Sequence, residues 1–118
     1  MTTDEATRIM KSQMQELEEE QYDCMKLMKE IETEEEYQYQ SNLSSIRQLE
    51  GARESWYGDV EIQVQLEEIQ AKHSANIRQI HYMGEERYEY SKRQQAKWVE
   101  REKEIRQEYA KRLEETNE

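Results

Sequence analysis

Few residues in this sequence are of types that catalyse reactions, and their spacing does not bring them together. His73 and His81 are eight residues apart, unlike the i, i+4 pair of a helical zinc site, and no pair of cysteines accompanies them. His73 falls on an apolar helix face, where we expect a packed histidine rather than a ligand. Cys24 is the single cysteine, so it cannot form a disulfide within the chain. The adjacent glutamates Glu34–Glu36 would point around a helix rather than converge, so we expect them to be solvated.

Larger catalytic patterns are missing as well. The sequence has no Glu-x-x-His pair of the kind that binds metal in ferritin-like bundles, and its three scattered glycines cannot form a phosphate-binding loop. We therefore predict no catalytic, metal-binding or cofactor-binding residues. The protein is predicted not to be an enzyme.

The composition favours long helices. Proline is absent, glycine occurs three times, and charged residues make up 38% of the chain. Disorder is the competing interpretation, but eight tyrosines, six methionines and a helical periodicity argue against it. The net charge of −11 argues against binding to nucleic acid or to an anionic membrane surface. No apolar run approaches the ~20 residues that cross a bilayer, so we expect no membrane insertion.

Apolar residues in the first half of the chain recur every three or four positions, as on one face of a helix. The spacing fades across the segment ETEEEYQYQ and resumes at Leu43, an offset that a four-residue stutter explains. We therefore predict one long helix with a weak middle, over about residues 5–55. Its inward face includes Met14, Leu17, Met28, Ile31, Ile46 and Leu49.

A second helix is predicted over about residues 60–115. Asp59 can cap its first turn by accepting a hydrogen bond from a free amide, and Gly58 lets the chain leave the first helix in a left-handed conformation. Its inward face includes Ile62, Leu66, Ile69, Ile80, Trp98 and Ile105. These six residues and the six of the first helix are called the predicted seam.

The charge distribution predicts how the two helices are arranged. Residues 5–36 have a net charge of −7 and residues 87–112 one of +4. A turn at residues 56–59 lays these segments side by side, and the numbers of facing residues then add to about 115, as for Leu17 and Trp98. The predicted fold is therefore all-α, a single domain formed by a long antiparallel helical hairpin. An unpaired charge at Leu66 or Ile69 is expected to disrupt it.

Two helices alone bury only a narrow seam, and further apolar side chains lie outside it. These are Tyr22, Met25, Leu27, Tyr37, Tyr39, Val60, Val64, Tyr82, Tyr90 and Val99. We expect a second face to meet a partner, so that a bundle of four or more helices forms by dimerisation or with another protein.

The central turn SWYGD, with Trp56 and Gly58, resembles the turn of the WXG family, small helical hairpins exported by type VII secretion systems. In that family the tryptophan and the glycine lie between the two helices. The family also carries a Tyr-x-x-x-Asp/Glu export signal after its second helix. Here Tyr109 is followed four residues later by Leu113, so the signal is absent from that position.

The chain is similar in size and composition to the glutamate- and glutamine-rich WXG-like accessory proteins encoded beside LXG toxins in Gram-positive bacteria. The resemblance implies a chaperone or targeting factor that binds the helical N-terminal domain of an LXG-type toxin and promotes its secretion. It implies that Trp56, Tyr57, Gly58 and Asp59 are the turn and partner-binding residues. It places the protein in the bacterial cytoplasm, and leaves open its export with the partner and the presence of a second small helical protein.

The alternative function is a self-associating structural coiled coil that serves as a scaffold. Such a protein would tolerate any turn, whereas targeting gives Trp56 and Gly58 a specific role. The two functions stay open at this point, and so does a homo-oligomer.

Overall fold

The computed structural model describes residues 1–117 and contains two helices. Helix α1 extends over Thr3–Ser55 and helix α2 over Val60–Asn117, with residues 56–59 between them. The described residues contain no strand. The predicted fold class, an all-α helical hairpin, is confirmed, and the predicted helix bounds differ from the observed ones by two residues at most.

The start of α1 is stabilised by capping. Thr2 Oγ1 accepts a hydrogen bond from the Glu5 amide at 3.2 Å, and the acidic residues Asp4 and Glu5 lie in the first turn, at the positive end of the helix dipole. Because the chain has no proline, nothing removes a backbone donor inside either helix. The segment in which the apolar spacing fades is therefore continuous helix, as predicted.

The chain divides into two compact units. Unit 1 comprises Met1–Met28 and Tyr88–Glu118, and unit 2 comprises Lys29–Arg87. In each unit a segment of α1 packs antiparallel against a segment of α2. The buried apolar residues of the described chain, Ala6, Leu17 and Ile105, all belong to unit 1. The prediction of one domain stays a prediction.

The residues of the predicted seam differ in burial. Leu17 and Ile105 are buried, whereas Ile31 and Ile69 are 38% and 42% exposed. The half-buried residues are Met14, Met28, Ile46, Leu49, Ile62, Leu66, Ile80 and Trp98. The placement of Ile31 and Ile69 thus differs from the prediction. Polar side chains nearby are half-buried instead: Glu35, one helical turn after Ile31, and Gln70, which follows Ile69 directly.

The register between the helices also differs slightly from the prediction. The numbers of residues that contact each other across a unit add to between 115, for Asn42 and His73, and 123, for Arg53 and Gln70. The predicted value is about 115. Side chains lean toward the N-terminus of their own helix, so the residues that meet across an antiparallel pair lie slightly C-terminal of the backbone level they cover.

Polar side chains fill the seam of unit 2 where the apolar spacing of α1 fades. The Arg87 guanidinium is paired with the Glu35 carboxylate, and these side chains are only 18% and 12% exposed. Closer to the turn, His73 Nδ1 lies 2.8 Å from Asn42 Oδ1. Groups of this kind must find partners when they leave water, so they specify which residues face each other.

Candidate functional site

The turn between the helices begins with ordinary helical bonds and ends in a left-handed glycine. The Trp56 amide donates to the Ala52 carbonyl at 3.0 Å, and the Asp59 amide donates to the Trp56 carbonyl at 3.1 Å. Gly58 between them has φ of +93°, a conformation that disfavours any residue with a Cβ atom. The prediction that Gly58 ends the first helix is therefore confirmed at the level of its backbone.

The side chains of Asp59 and Gln63 bind backbone groups at the two helix ends. Asp59 Oδ1 accepts a hydrogen bond from the Ile62 amide at 3.1 Å, which is the predicted N-cap. Gln63 Nε2 reaches back and donates to the carbonyls of Arg53 and Trp56, both at 2.9 Å. Arg53 lies in the last turn of α1, where carbonyls have no partner further along the helix, and the Trp56 carbonyl just beyond it also accepts the Asp59 amide. One helix therefore caps the other.

Arg53 holds the last turn of α1 against α2. Its Nη1 donates to Gln70 Oε1 at 3.1 Å, and its Nη2 lies 3.0 Å from Glu67 Oε1. The planar guanidinium thus bridges two side chains that are three residues apart in α2. Because the Arg53 and Glu67 side chains are 35% and 59% exposed, this ion pair adds little stability, and its main effect is to orient the end of α1 against α2.

The aromatic residues of the turn take no part in these bonds through their side chains. Trp56 is 53% exposed and Tyr57 is 92% exposed, and Val60, one residue after the N-cap, is 75% exposed. We call these three residues the turn patch. Trp56 therefore keeps more than half of its surface in solvent.

Gln63 and Arg53 are not among the residues predicted from the sequence. Both belong to residue types that are frequent in this chain, and nothing in their spacing distinguishes a capping glutamine from a solvated one. Their role depends on where the opposing helix ends. A glutamine one turn after a helix start, facing the end of the preceding helix, is the weak signal that would have found them.

The other residues with reactive side chains form no site. Among the described residues, no group of three or more histidine, cysteine or acidic residues is arranged to hold a metal ion. Cys24 is a free, half-buried thiol. His81 stacks on Tyr39, with ring centroids 5.6 Å apart, so Tyr39 lies between the helices rather than on the outer surface where it was predicted.

Helix length and hydropathy also bear on the membrane prediction. Within the described residues, neither helix contains a stretch apolar enough and long enough to cross a bilayer.

The remaining apolar residues that were predicted to lie outside the seam are exposed, among them Tyr22, Tyr37 and Tyr82. The chain thus offers apolar surface to other molecules along its helices as well as at the turn patch.

The chain matches no protein-family model, no curated protein and no solved structure. The function is therefore inferred from the geometry of the turn and from the resemblance of its residues.

Proposed function

We propose that this protein is a non-enzymatic binding module, a chaperone or targeting factor that binds the helical N-terminal domain of an LXG-type toxin and promotes its type VII secretion. The turn patch is the contact surface, with Trp56 as its anchor. The protein acts in the bacterial cytoplasm and by helix-on-helix association, without chemistry of its own.

One observation carries the proposal: the turn is held together without its aromatic rings. Asp59 and Gln63 bind the backbone groups, while the side chains of Trp56 and Tyr57 lie in solvent. A purely structural turn has no use for two large exposed rings. Tryptophan and tyrosine are enriched where proteins bind one another, because each buries a large apolar area at a small loss of conformational freedom.

The resemblance of the turn supports the choice of partner. The Trp-x-Gly order at Trp56 and Gly58 is similar to that of the WXG hairpins, and the acidic, glutamine-rich composition is similar to that of the accessory proteins of LXG toxins. A helical partner also suits the surface, since Val60, an exposed apolar residue of the turn patch, lies in the first turn of α2.

The test replaces Trp56 by alanine and measures binding to a co-expressed LXG-type toxin N-terminal domain. Trp56→Ala should weaken that binding at least about tenfold, because it removes the anchor of the patch. Helix content by circular dichroism should stay unchanged, since the Trp56 backbone bonds do not need its ring. The affinity is measured by isothermal titration calorimetry after co-purification has established the complex.

Tyr37→Ala is the matched control. Tyr37 is also an exposed aromatic residue, at 71%, but it lies in the middle of α1. This variant should bind the toxin domain as the unaltered chain does. Equal binding by the Trp56→Ala protein would rule out the turn patch as the contact surface, and no binding by the unaltered chain would leave the scaffold function as the better explanation.

A further inference from the structure

A second surface without a partner runs along α2 on the side away from α1. Its residues form two rows, and within each row they are seven residues apart. Each residue of the first row is followed four residues later by one of the second row, which also begins one repeat earlier, at Glu61. The first row contains Val64, Ala71 and Arg78, and the second row contains Glu61, Glu68, Ala75 and Tyr82. All seven residues are exposed and belong to unit 2. We call them the outer stripe.

The position of the outer stripe follows from helix geometry. Val64 precedes the half-buried Leu66 by two residues, which is ~200° around a helix of 3.6 residues per turn. The same two-residue step separates Ala75 from the half-buried Ile77. The outer stripe therefore faces away from the seam. Its seven-residue repeat is the spacing by which two helices pack along their length.

The charges of the outer stripe are arranged in order along the helix. The acidic residues Glu61 and Glu68 lie in its N-terminal half, and Arg78 lies in its C-terminal half with Lys72 beside the centre. Within the part of the chain that the structure describes, none of these four residues forms an ion pair. Two copies of such a surface attract each other when they run in opposite directions.

We infer that the outer stripe binds the outer stripe of a second copy of this chain, antiparallel and about a two-fold axis. The facing residue numbers then add to 139. Arg78 meets Glu61 of the second copy, Val64 meets its Ala75, and Lys72 lies beside its Glu68. Two-fold symmetry makes each of these contacts twice, so one surface patch serves both chains.

Other arrangements of the same stripe are less favourable. A parallel pair in register would put each charge opposite its own copy, so that Glu61, Glu68 and Arg78 would all repel. An antiparallel pair shifted by seven residues keeps Arg78 near a glutamate but places Glu61 against Glu85. Of these three arrangements, the one in which the numbers add to 139 pairs Arg78 with a carboxylate and places no like charges opposite each other along the stripe.

Reversal of charge tests this dimer. Sedimentation equilibrium at ~100 µM protein, well above a micromolar dissociation constant, should give twice the 14.5 kDa of one chain. Arg78→Glu and Glu61→Lys should each weaken the dimer at least about tenfold, because each change creates two repulsive contacts. The double variant, Glu61→Lys with Arg78→Glu, exchanges the charges and should restore the dimer.

Arg47→Glu is the matched control, because Arg47 is an exposed arginine on α1 outside the outer stripe, and it should dimerise normally. A monomer at every concentration would overturn the inference, as would a dimer that Arg78→Glu leaves unchanged or that the double variant fails to restore. A monomer that instead loses toxin-domain binding on Val64→Asp would assign the stripe to that partner.

Cross-linking tests the register independently, in protein whose Cys24 is replaced by serine. A mixture of Val64→Cys and Ala75→Cys chains should form a disulfide-linked pair on oxidation, whereas neither variant alone should. In the proposed register the two copies of position 64 are eleven residues apart along the pair, ~16 Å, beyond the ~7 Å that a disulfide spans. Self-linking by either variant as fast as in the mixture would exclude this register.

The dimer and the proposed partner binding can fail separately. Arg78→Glu should weaken the dimer without weakening binding of the toxin domain, and Trp56→Ala should weaken binding of the toxin domain without weakening the dimer. Loss of both properties in both variants would overturn the assignment of two surfaces.

Discussion

In the turn, one set of residues fixes the backbone and another set provides the exposed side chains. Gly58 supplies the left-handed conformation, Asp59 caps α2, and Gln63 caps α1. Trp56 and Tyr57 then remain as exposed rings. Two of the three structural roles were predicted from the sequence, since left-handed glycines and acidic N-caps have local signals. The role of Gln63 depends on a neighbouring helix end, which a local pattern does not contain.

Two glycine substitutions should change stability in opposite directions. Gly58→Ala should lower the free energy of unfolding by ~1–2 kcal/mol, because an L-residue is strained at φ of +93° although no neighbouring atom would contact its Cβ. Gly51→Ala should raise it by ~0.5–1 kcal/mol, because Gly51 lies within α1 with open space at its Cβ position.

Thermal and urea unfolding followed by circular dichroism measure both changes. Each variant serves as the other's control, since the chemical change is the same. A Gly58→Ala protein as stable as the unaltered chain would contradict the assignment of a strained turn.

At the scale of the helices, the seam of unit 2 is held in register by polar contacts. Arg87 with Glu35 and His73 with Asn42 are among the pairs that cross it. A half-buried ion pair contributes little net stability, because loss of hydration opposes the attraction, but it disfavours registers that leave its charges unpaired. All three residues of Glu34–Glu36 are predicted to be solvated, but the Glu35 side chain is only 12% exposed. A glutamate on a long charged helix cannot be assigned inward until the opposing arginine is known.

Aspartate substitutions at Leu66 and Ile69 of α2 should show which of the two side chains faces α1. Leu66→Asp should lower the free energy of unfolding by ~2–4 kcal/mol, because Leu66 is half-buried between the helices. Ile69→Asp should lower it by less than ~1.5 kcal/mol, because Ile69 is 42% exposed and its charge can stay in water.

The sequence alone predicted similar disruption at both positions, since either isoleucine or leucine fits the three-and-four spacing. The structure turns Gln70 inward in place of Ile69. Urea unfolding of the two variants measures the difference. Equal destabilisation would show that Ile69 belongs to the seam after all.

At the scale of the whole molecule, the buried core is unevenly distributed. Ala6, Leu17 and Ile105 lie in unit 1, and none of residues 29–87 is buried. The outer stripe, the turn patch and the Arg87–Glu35 and His73–Asn42 pairs all belong to unit 2. A helical pair whose inward side chains are only half-buried gains little from packing, so its stability depends on what it binds.

Hydrogen exchange should therefore distinguish the two units in the free chain. The amides of residues 29–55 and 60–87 should exchange faster than those of residues 6–28 and 88–116, because local opening needs less free energy where few apolar contacts are lost. Mass spectrometry of peptic peptides measures this. Addition of a binding partner should slow exchange in residues 29–87, and uniform protection in the free chain would contradict the prediction.

The capping by Gln63 has a consequence for how the sequence of the turn can change. Since α2 satisfies the end of α1 through one amide side chain, the identities of residues 56 and 57 are not needed to close the chain back on itself. These two positions can accept many side chains while Gly58, Asp59 and Gln63 stay fixed. The turn is thus a place where recognition can diverge between related proteins without refolding, and where a randomised library would select new specificities.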